Sequence, residues 1–441
     1  MKYNPSLHKL SNGVTVILDP MDIETAVVKV HFKTGSRDET PHEHGITHFC
    51  EHMLCAGTPR FESSIARELY LENLGGTKNA STSDVGTNFY GRIVGNNLLQ
   101  LLDVIADQLK NSLFDSDRIE LERTAILDER RRAVNRENRL IKSAFSKRVY
   151  GNDMLGFQTL GTIENIKSFT RDQLLNWYHR RFSAKNCVIC ISGKIMDAKA
   201  VLAQLERDFA FLPTHDVSRN LHLSYNPVCY HYLIPNNTAV QLSIWIPRQY
   251  DASNSHAHMA HTMWLRYLGQ QLIAVLRYKY GLVYGVNSGK SDLSYDNGCH
   301  CLQTETNIDN IAQVFELMSR TLYKLSTNDF LTDDWLLRAN RSFQLDDADF
   351  LDTPTDRCDK LLGDYCLHGT VYDFHKRVKD MNAMTADDVR RLTKDFWKSP
   401  ISILTCGPKF DANLSEIWCK NFPGGTCGRI IQHEKGVAKC R

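Results

Sequence analysis

Residues 168–194 read SFTRDQLLNWYHRRFSAKNCVICISGK, and residues 383–409 read AMTADDVRRLTKDFWKSPISILTCGPK. Both place Thr-x-Asp ahead of a helical pattern, an aromatic residue near its end, and an apolar strand closing on glycine. Thr170 and Thr385 are 215 positions apart, and Gly193 and Gly407 are 214 apart. An offset of about half of a 441-residue chain points to an internal duplication. The expected fold class is α+β: two homologous two-layer α/β domains, each an antiparallel sheet with helices on one face. The polar run LPTHDVSRNLHLS reads as the linker between them. It divides the chain into domains 1–212 and 225–441, with residues 213–224 between.

Outward from this repeat, HKLSNGVTVIL reads as a hairpin turning at Asn12-Gly13. AVVKVHFKTGS alternates apolar and polar residues as a half-buried strand does. LLQLLDVIADQL and DSDRIELERTAILDERRRAV are long helical patterns, the second opening on Asp and Ser caps.

Composition narrows the class. With 42% hydrophobic and 24% charged residues the chain is globular, and a net charge of +2 gives no reason to expect a nucleic-acid partner. No apolar run is long enough to span a membrane, and the first residues show no signal-peptide core. Thirteen cysteines, an odd number, include one CxxC inside a strand-like run, so free buried thiols are expected. Together these features suggest a cytoplasmic protein.

The stretch HFCEH, residues 48–52, begins the chemistry. On a helix His48, Glu51 and His52 share one face, and two imidazoles a turn apart suit a single Zn²⁺. A catalytic zinc wants a third protein ligand. Glu122 and Glu129, seven apart, lie on one face of a later helix beside Ile126, as either a solvated pair or part of a site.

HxxEH followed 77 residues later by a glutamate, with another glutamate seven before it, resembles the inverzincin peptidases. That group includes pitrilysin, insulin-degrading enzyme and the mitochondrial processing peptidase. SNGVTVIL, HGITHFCEHMLCAGT, LENLGGTKNASTSDVGTNFY and GTIENIKSFTRDQLLNWY are similar to family segments in family order.

The resemblance implies one Zn²⁺ per chain, held by His48, His52 and Glu129, with Glu51 as general base. It implies that Glu122 orients the site and that Asn79 and Ala80 lie on an edge strand receiving the substrate. LRYKYGLVYGVNSG is similar to the segment whose Arg and Tyr reach the active site, here Arg277 and Tyr284. The chain departs from the family at GNDMLGFQ, where a His-Pro-rich turn is usual, and it lacks the glycine-rich loop of the non-catalytic processing subunit. HAHMAH, residues 256–261, reads as surface or packing histidines.

Larger family members enclose a chamber between two such double units, and this chain supplies one. The expected activity is a zinc endopeptidase whose chamber is closed by a second chain, as a homodimer or as a heterodimer with a related chain. The rival reading is a non-catalytic scaffold subunit of a processing-peptidase-like complex. A cysteine nucleophile at Cys50 paired with His52 is a remote third, because positions two apart on a helix point to different faces.

Overall fold

The computed structural model describes residues 3–134, 137–219, 224–248, 250–292, 298–327, 331–371 and 373–431. The strands are β1 (Ser6–Lys9), β2 (Thr15–Pro20), β3 (Thr25–Phe32), β4 (Gly76–Thr82), β5 (Thr87–Val94), β6 (Cys187–Gly193), β7 (Val228–Leu233), β8 (Ala239–Pro247), β9 (Val286–Asp292), β10 (Gly298–Asn307), β11 (Ser402–Gly407) and β12 (Arg429–Ile430). The helices of the first half are α1 (Ile46–Ala56), α2 (Ser64–Asn73), α3 (Leu98–Asn111), α4 (Ser116–Val134), α5 (Glu137–Tyr150), α6 (Ile163–Ser168), α7 (Arg171–Arg181) and α8 (Ala198–Asp208). Those of the second are α9 (Ser255–Ile273), α10 (Ile311–Thr327), α11 (Asp333–Asp349), α12 (Pro354–His368), α13 (Phe374–Ala383), α14 (Ala386–Thr393) and α15 (Leu414–Asn421).

The duplication is visible in local chemistry. Thr170 caps α7 and Thr385 caps α14. Each side chain accepts from the backbone three residues on, and Gln173 and Asp388 close the reciprocal bond. The strands that follow end at Gly193 (φ +121°) and Gly407 (φ +144°). A Cβ on Gly193 would meet the Thr25 carbonyl at 2.3 Å, and one on Gly407 the Ala239 carbonyl at 2.6 Å. Glycine is required at both positions by conformation and by space.

The two sheets run β1-β2-β6-β3-β5-β4 and β12-β7-β11-β8-β10-β9. They are mixed, which corrects the all-antiparallel expectation. Strand β6 lies between β2 and β3, parallel to the first and antiparallel to the second, and β11 stands likewise between β7 and β8. A strand inserted between two antiparallel neighbours must run parallel to one of them. Strand pairing is therefore set by where the chain returns, which periodicity does not report.

Two compact units emerge: Met1–Arg136, Phe157–Asn220 and Asp346–Tyr372 form the first, and Glu137–Gly156, Leu221–Leu345 and Asp373–Arg441 the second. Of the linker expected at 213–224, residues 220–223 lie outside the described residues. Each unit takes in one helix from the other half of the sequence. In the first, the front of the sheet packs Val28, Val30, Phe32, Ile189 and Ile191 against Phe49, Leu101, Ile105 and Trp177. The rear carries α12, where Arg357 forms a buried pair with Asp19 and Cys358 donates to the Cys190 carbonyl. In the second, α5 covers the rear of its sheet, with Phe145 and Val149 against Tyr230 and Leu404. Helices thus lie on both faces. This explains why all seven residues of β6 are buried.

Among the described residues, no helix is long and apolar enough to cross a membrane. Cys187 faces the front core while Cys190 meets α12, so the CxxC pair points to opposite sides of its strand.

Candidate metal centre

Helix α1 starts where Gly45 (φ +99°) turns the chain against Gly161. A Cβ on Gly45 would stand 2.7 Å from the Gly161 Cα. The Glu39 carboxylate accepts from the N–H groups of Gly45 and Thr47, each at 2.9 Å, and so satisfies two donors at the helix start. Burial pushes its pKa up to about 8 against those bonds. Phe49, Cys50, Met53 and Leu54 anchor the helix in the core. The remaining face presents His48, Glu51, His52 and Cys55.

Helix α4 brings the second set of groups. Ile126 and Ala133 are buried, and Arg130 Nε donates to the Gly161 carbonyl at 2.8 Å. Glu129 Oε2 comes within 3.5 Å of His48 Nε2 and 3.7 Å of His52 Nε2. Glu122 Oε2 lies 2.8 Å from His52 Nδ1. The three donors of His48, His52 and Glu129 all lie within 4.8 Å of one another, a group that could hold a metal ion. Ligand atoms about 2.0–2.1 Å from a tetrahedral zinc are about 3.3–3.4 Å apart, so the two histidine-to-carboxylate distances suit one ion. Nitrogen and carboxylate donors are zinc's usual partners.

The electrostatics agree with that use. Burial, with His52 alongside, lowers the His48 pKa to about 4 and keeps a lone pair available. At His52 burial works against charge, but hydrogen bonds to Glu122 and Glu129 and the nearby Glu51 outweigh it, raising the pKa to about 9. The carboxylates therefore demand a positive charge here, which a divalent cation would supply in place of the proton. Glu51 is buried, and burial raises its pKa although the Thr82 hydroxyl donates to it at 2.5 Å.

Thr82 belongs to β4, the last strand of its sheet. Asn79 and Ala80 lie on the same strand, where the Asn79 side-chain oxygen accepts from the Ala80 N–H at 2.8 Å. Because β4 ends the sheet, no strand pairs with its outer edge among the described residues. Sequence reading brought His48, Glu51, His52, Glu122 and Glu129 together and placed Asn79 and Ala80 beside them. It missed Thr82, Glu39 and Lys78. For Thr82 and Lys78 the signal was present, since both share a strand face with Ala80.

Arg277 and Tyr284 belong to the second unit. Arg277 sits in the π-helical turn Ala274–Lys279 that prolongs α9, and its guanidinium lies 4.7 Å from the Tyr284 ring centre. Tyr284 is 87% exposed, so its hydroxyl is accessible. Cys50, by contrast, is wholly buried, donates to the Leu174 carbonyl, and has its thiol pKa raised well above normal by burial. The cysteine-nucleophile reading is set aside on that ground. In HAHMAH, His258 and His261 are buried, with His261 stacked 4.0 Å from Tyr250, and His256 is exposed.

The chain matches the family model "Insulinase (Peptidase family M16)" over residues 15–163 and "Peptidase M16 inactive domain" over 168–341. It is 30% identical over 321 residues to an uncharacterized zinc protease of Rickettsia bellii, spanning 70% of this chain and 76% of that protein. It is 31% identical over 212 residues to the mitochondrial-processing peptidase subunit beta of Dictyostelium discoideum, covering 48% and 45% of the two chains. In fold it is similar to a peptidase M16 inactive domain from Pseudomonas fluorescens, with a TM-score of 0.80, 17% identity, and 93% and 100% of the chains covered. The periplasmic protease PqqL of Escherichia coli also gives 0.80 at 15% identity, covering 99% of this chain and 52% of that one. With both M16 models matched in order and a zinc-protease relative aligned over most of its length, the chain belongs to the insulinase family of peptidases, M16.

Proposed function

We propose that the chain is a zinc-dependent endopeptidase that hydrolyses peptides or unfolded polypeptide segments. The convergence of His48, His52 and Glu129 on one point, with Glu51 buried beside them, carries this reading. A scaffold subunit would have no need of that set.

A zinc ion bound by those three residues would supply Lewis acidity to the attacking water and the scissile carbonyl. Glu51 takes the proton of that water and returns it to the leaving amine. The Thr82 hydroxyl aims the carboxylate. Glu122, bonded to His52 Nδ1, fixes which ring nitrogen faces the metal. An extended substrate adds to the free edge of β4 at Asn79 and Ala80. Arg277 holds substrate backbone, and the Tyr284 hydroxyl stabilises the oxyanion. Two chains, in a homodimer or with a related partner, enclose the chamber in which this happens.

The test is digestion of a mixed peptide library by purified protein, with and without a chelator, followed by zinc add-back. Cleavage abolished by chelator and restored by zinc is expected. Binding without cleavage in zinc-loaded protein would favour the scaffold reading.

A further inference from the structure

Beside the metal centre stand two cations that no step above uses. Lys78 lies on the inner face of β4, the face that carries Ala80 and Thr82. Its ammonium is 4.0 Å from the Cys55 thiol, one helical turn beyond Glu51 on α1. Burial raises the Cys55 pKa, so that thiol is neutral and offers the ammonium no counter-charge. Behind Lys78 lies Arg67 of α2, which is fully buried. Arg67 donates to Gln108 Oε1 at 3.0 Å and to the Cys55 carbonyl at 2.9 Å, both neutral acceptors. Its Nε is buried with no hydrogen-bond partner.

Among the described residues, neither cation has a carboxylate within 4.0 Å. Burial lowers the pKa of each, with the Arg67 charge adding to that effect at Lys78, and it outweighs the more distant carboxylates of Glu68 for both, Asp107 for Arg67 and Glu51 for Lys78. Two like charges in a half-dry niche, with no carboxylate paired directly to either, favour the arrival of a further negative group. Lys78 is only half-buried.

We propose that Lys78, backed by Arg67, forms a cationic subsite taking an aspartate or glutamate side chain of a peptide laid along β4. The proposal rests on reading that edge as the substrate strand. Strand spacing of about 3.3 Å per residue sets Lys78 about 13 Å from Thr82 along the edge. The acidic residue therefore falls two to four positions from the bond held at Glu51. A peptide side chain fits better than a free anion because Lys78 stands on the last strand of the sheet, where backbone pairing would hold the rest of the ligand.

The experiment uses peptide pairs that differ only as Asp/Asn or Glu/Gln at each of four positions on either side of a cleavage site. With the zinc-loaded wild type, kcat/KM should favour the acid by about tenfold at one position, the scale of a charge-assisted hydrogen bond. Lys78→Met should bring that ratio close to one, Lys78→Arg should preserve it, and Lys78→Glu should favour a lysine peptide instead. A wild type with no acid preference at any position, or a preference that survives in Lys78→Met, would overturn the subsite. The same pairs are also titrated against Glu51→Gln protein, where binding is read without turnover. If no peptide is cleaved but Lys78-dependent acid preference persists in binding, the subsite stands and the peptidase reading falls. If binding shows no preference either, the subsite is wrong whatever the activity.

Discussion

Glu122 Oε2 lies 2.8 Å from Nδ1 of His52, while the opposite nitrogen of the same ring faces Glu129 at 3.7 Å. Two carboxylates seven residues apart on α4 thus grip one imidazole from both sides. Removing the outer one should loosen the ring without removing a ligand. Glu122→Gln is expected to weaken zinc binding by about 10–100-fold, measured by competition with a chromogenic chelator. Unchanged affinity would reduce the Glu122 contact to a charge pair of the metal-free chain.

Glu51→Gln separates base from ligand. It should keep about one zinc per chain while hydrolysis falls by about 10²–10⁴-fold, whereas Glu129→Gln should lose the metal itself.

Metal loading should release a proton. With its pKa raised to about 9, His52 is charged at pH 7 in the metal-free chain, whereas burial keeps His48 neutral there with a pKa of about 4. An imidazole ligand must be neutral, so zinc affinity should rise with pH up to about 9, with about one proton released per ion. Calorimetry in buffers of different ionisation enthalpy reads this directly. The same shift sets the stability of the metal-free chain. The His52 contribution is full below its ordinary pKa of 6.5 and is lost as pH rises through about 9. No released proton at pH 7 would mean that His52 starts neutral.

The pair Asp19–Arg357 is sealed under α12, with both side chains almost fully buried. Arg357→Ala leaves Asp19 buried without its partner and should destabilise the protein by about 3–5 kcal/mol. Replacing both with apolar residues of similar volume should recover most of that loss. Denaturant midpoints of the two variants decide it, and equal midpoints would show that α12 is held by its other contacts.

Assembly is tested by mixing. If Arg277 of one chain completes the site of another, Glu51→Gln and Arg277→Ala homodimers should each be nearly inactive. Full dissociation and random reassociation of equal amounts should then restore roughly a quarter of wild-type activity, one whole site in half the dimers. Mixed dimers with no recovery would place Arg277 elsewhere.

Much of this was legible in the chain because it is local. The capping boxes at Thr170 and Thr385 are three-residue patterns, and HFCEH declares its face by helical spacing alone. Glu129 needed the family resemblance, since nothing in the 76 residues between His52 and Glu129 says that α4 returns beside α1. Glu39 escaped notice because its role comes from a contact across 8 positions, and Thr82, although it shares a strand face with Ala80, because its partner Glu51 lies 31 positions away. Cys50 was legible too, since a position two before His52 points to a different face of the helix. It shares the helix with the ligands, yet its side chain points to the core and meets Leu174. The parallel neighbours of β6 and β11, and the rear helices α5 and α12, belong to topology, on which hydrophobic periodicity is silent.

Those rear helices bear on how the protein can be made and cut. The chain passes between its units at 136/137, 156/157, 220/221, 345/346 and 372/373. A protease nicking the polar run after residue 212 would sever only one of five crossings and release neither half. During synthesis, the sheet built from the first 193 residues waits for residues 354–368 before Val27, Val188 and Cys190 are covered. A messenger truncated between these points would yield a nascent chain with that apolar rear exposed, a surface for a chaperone to hold.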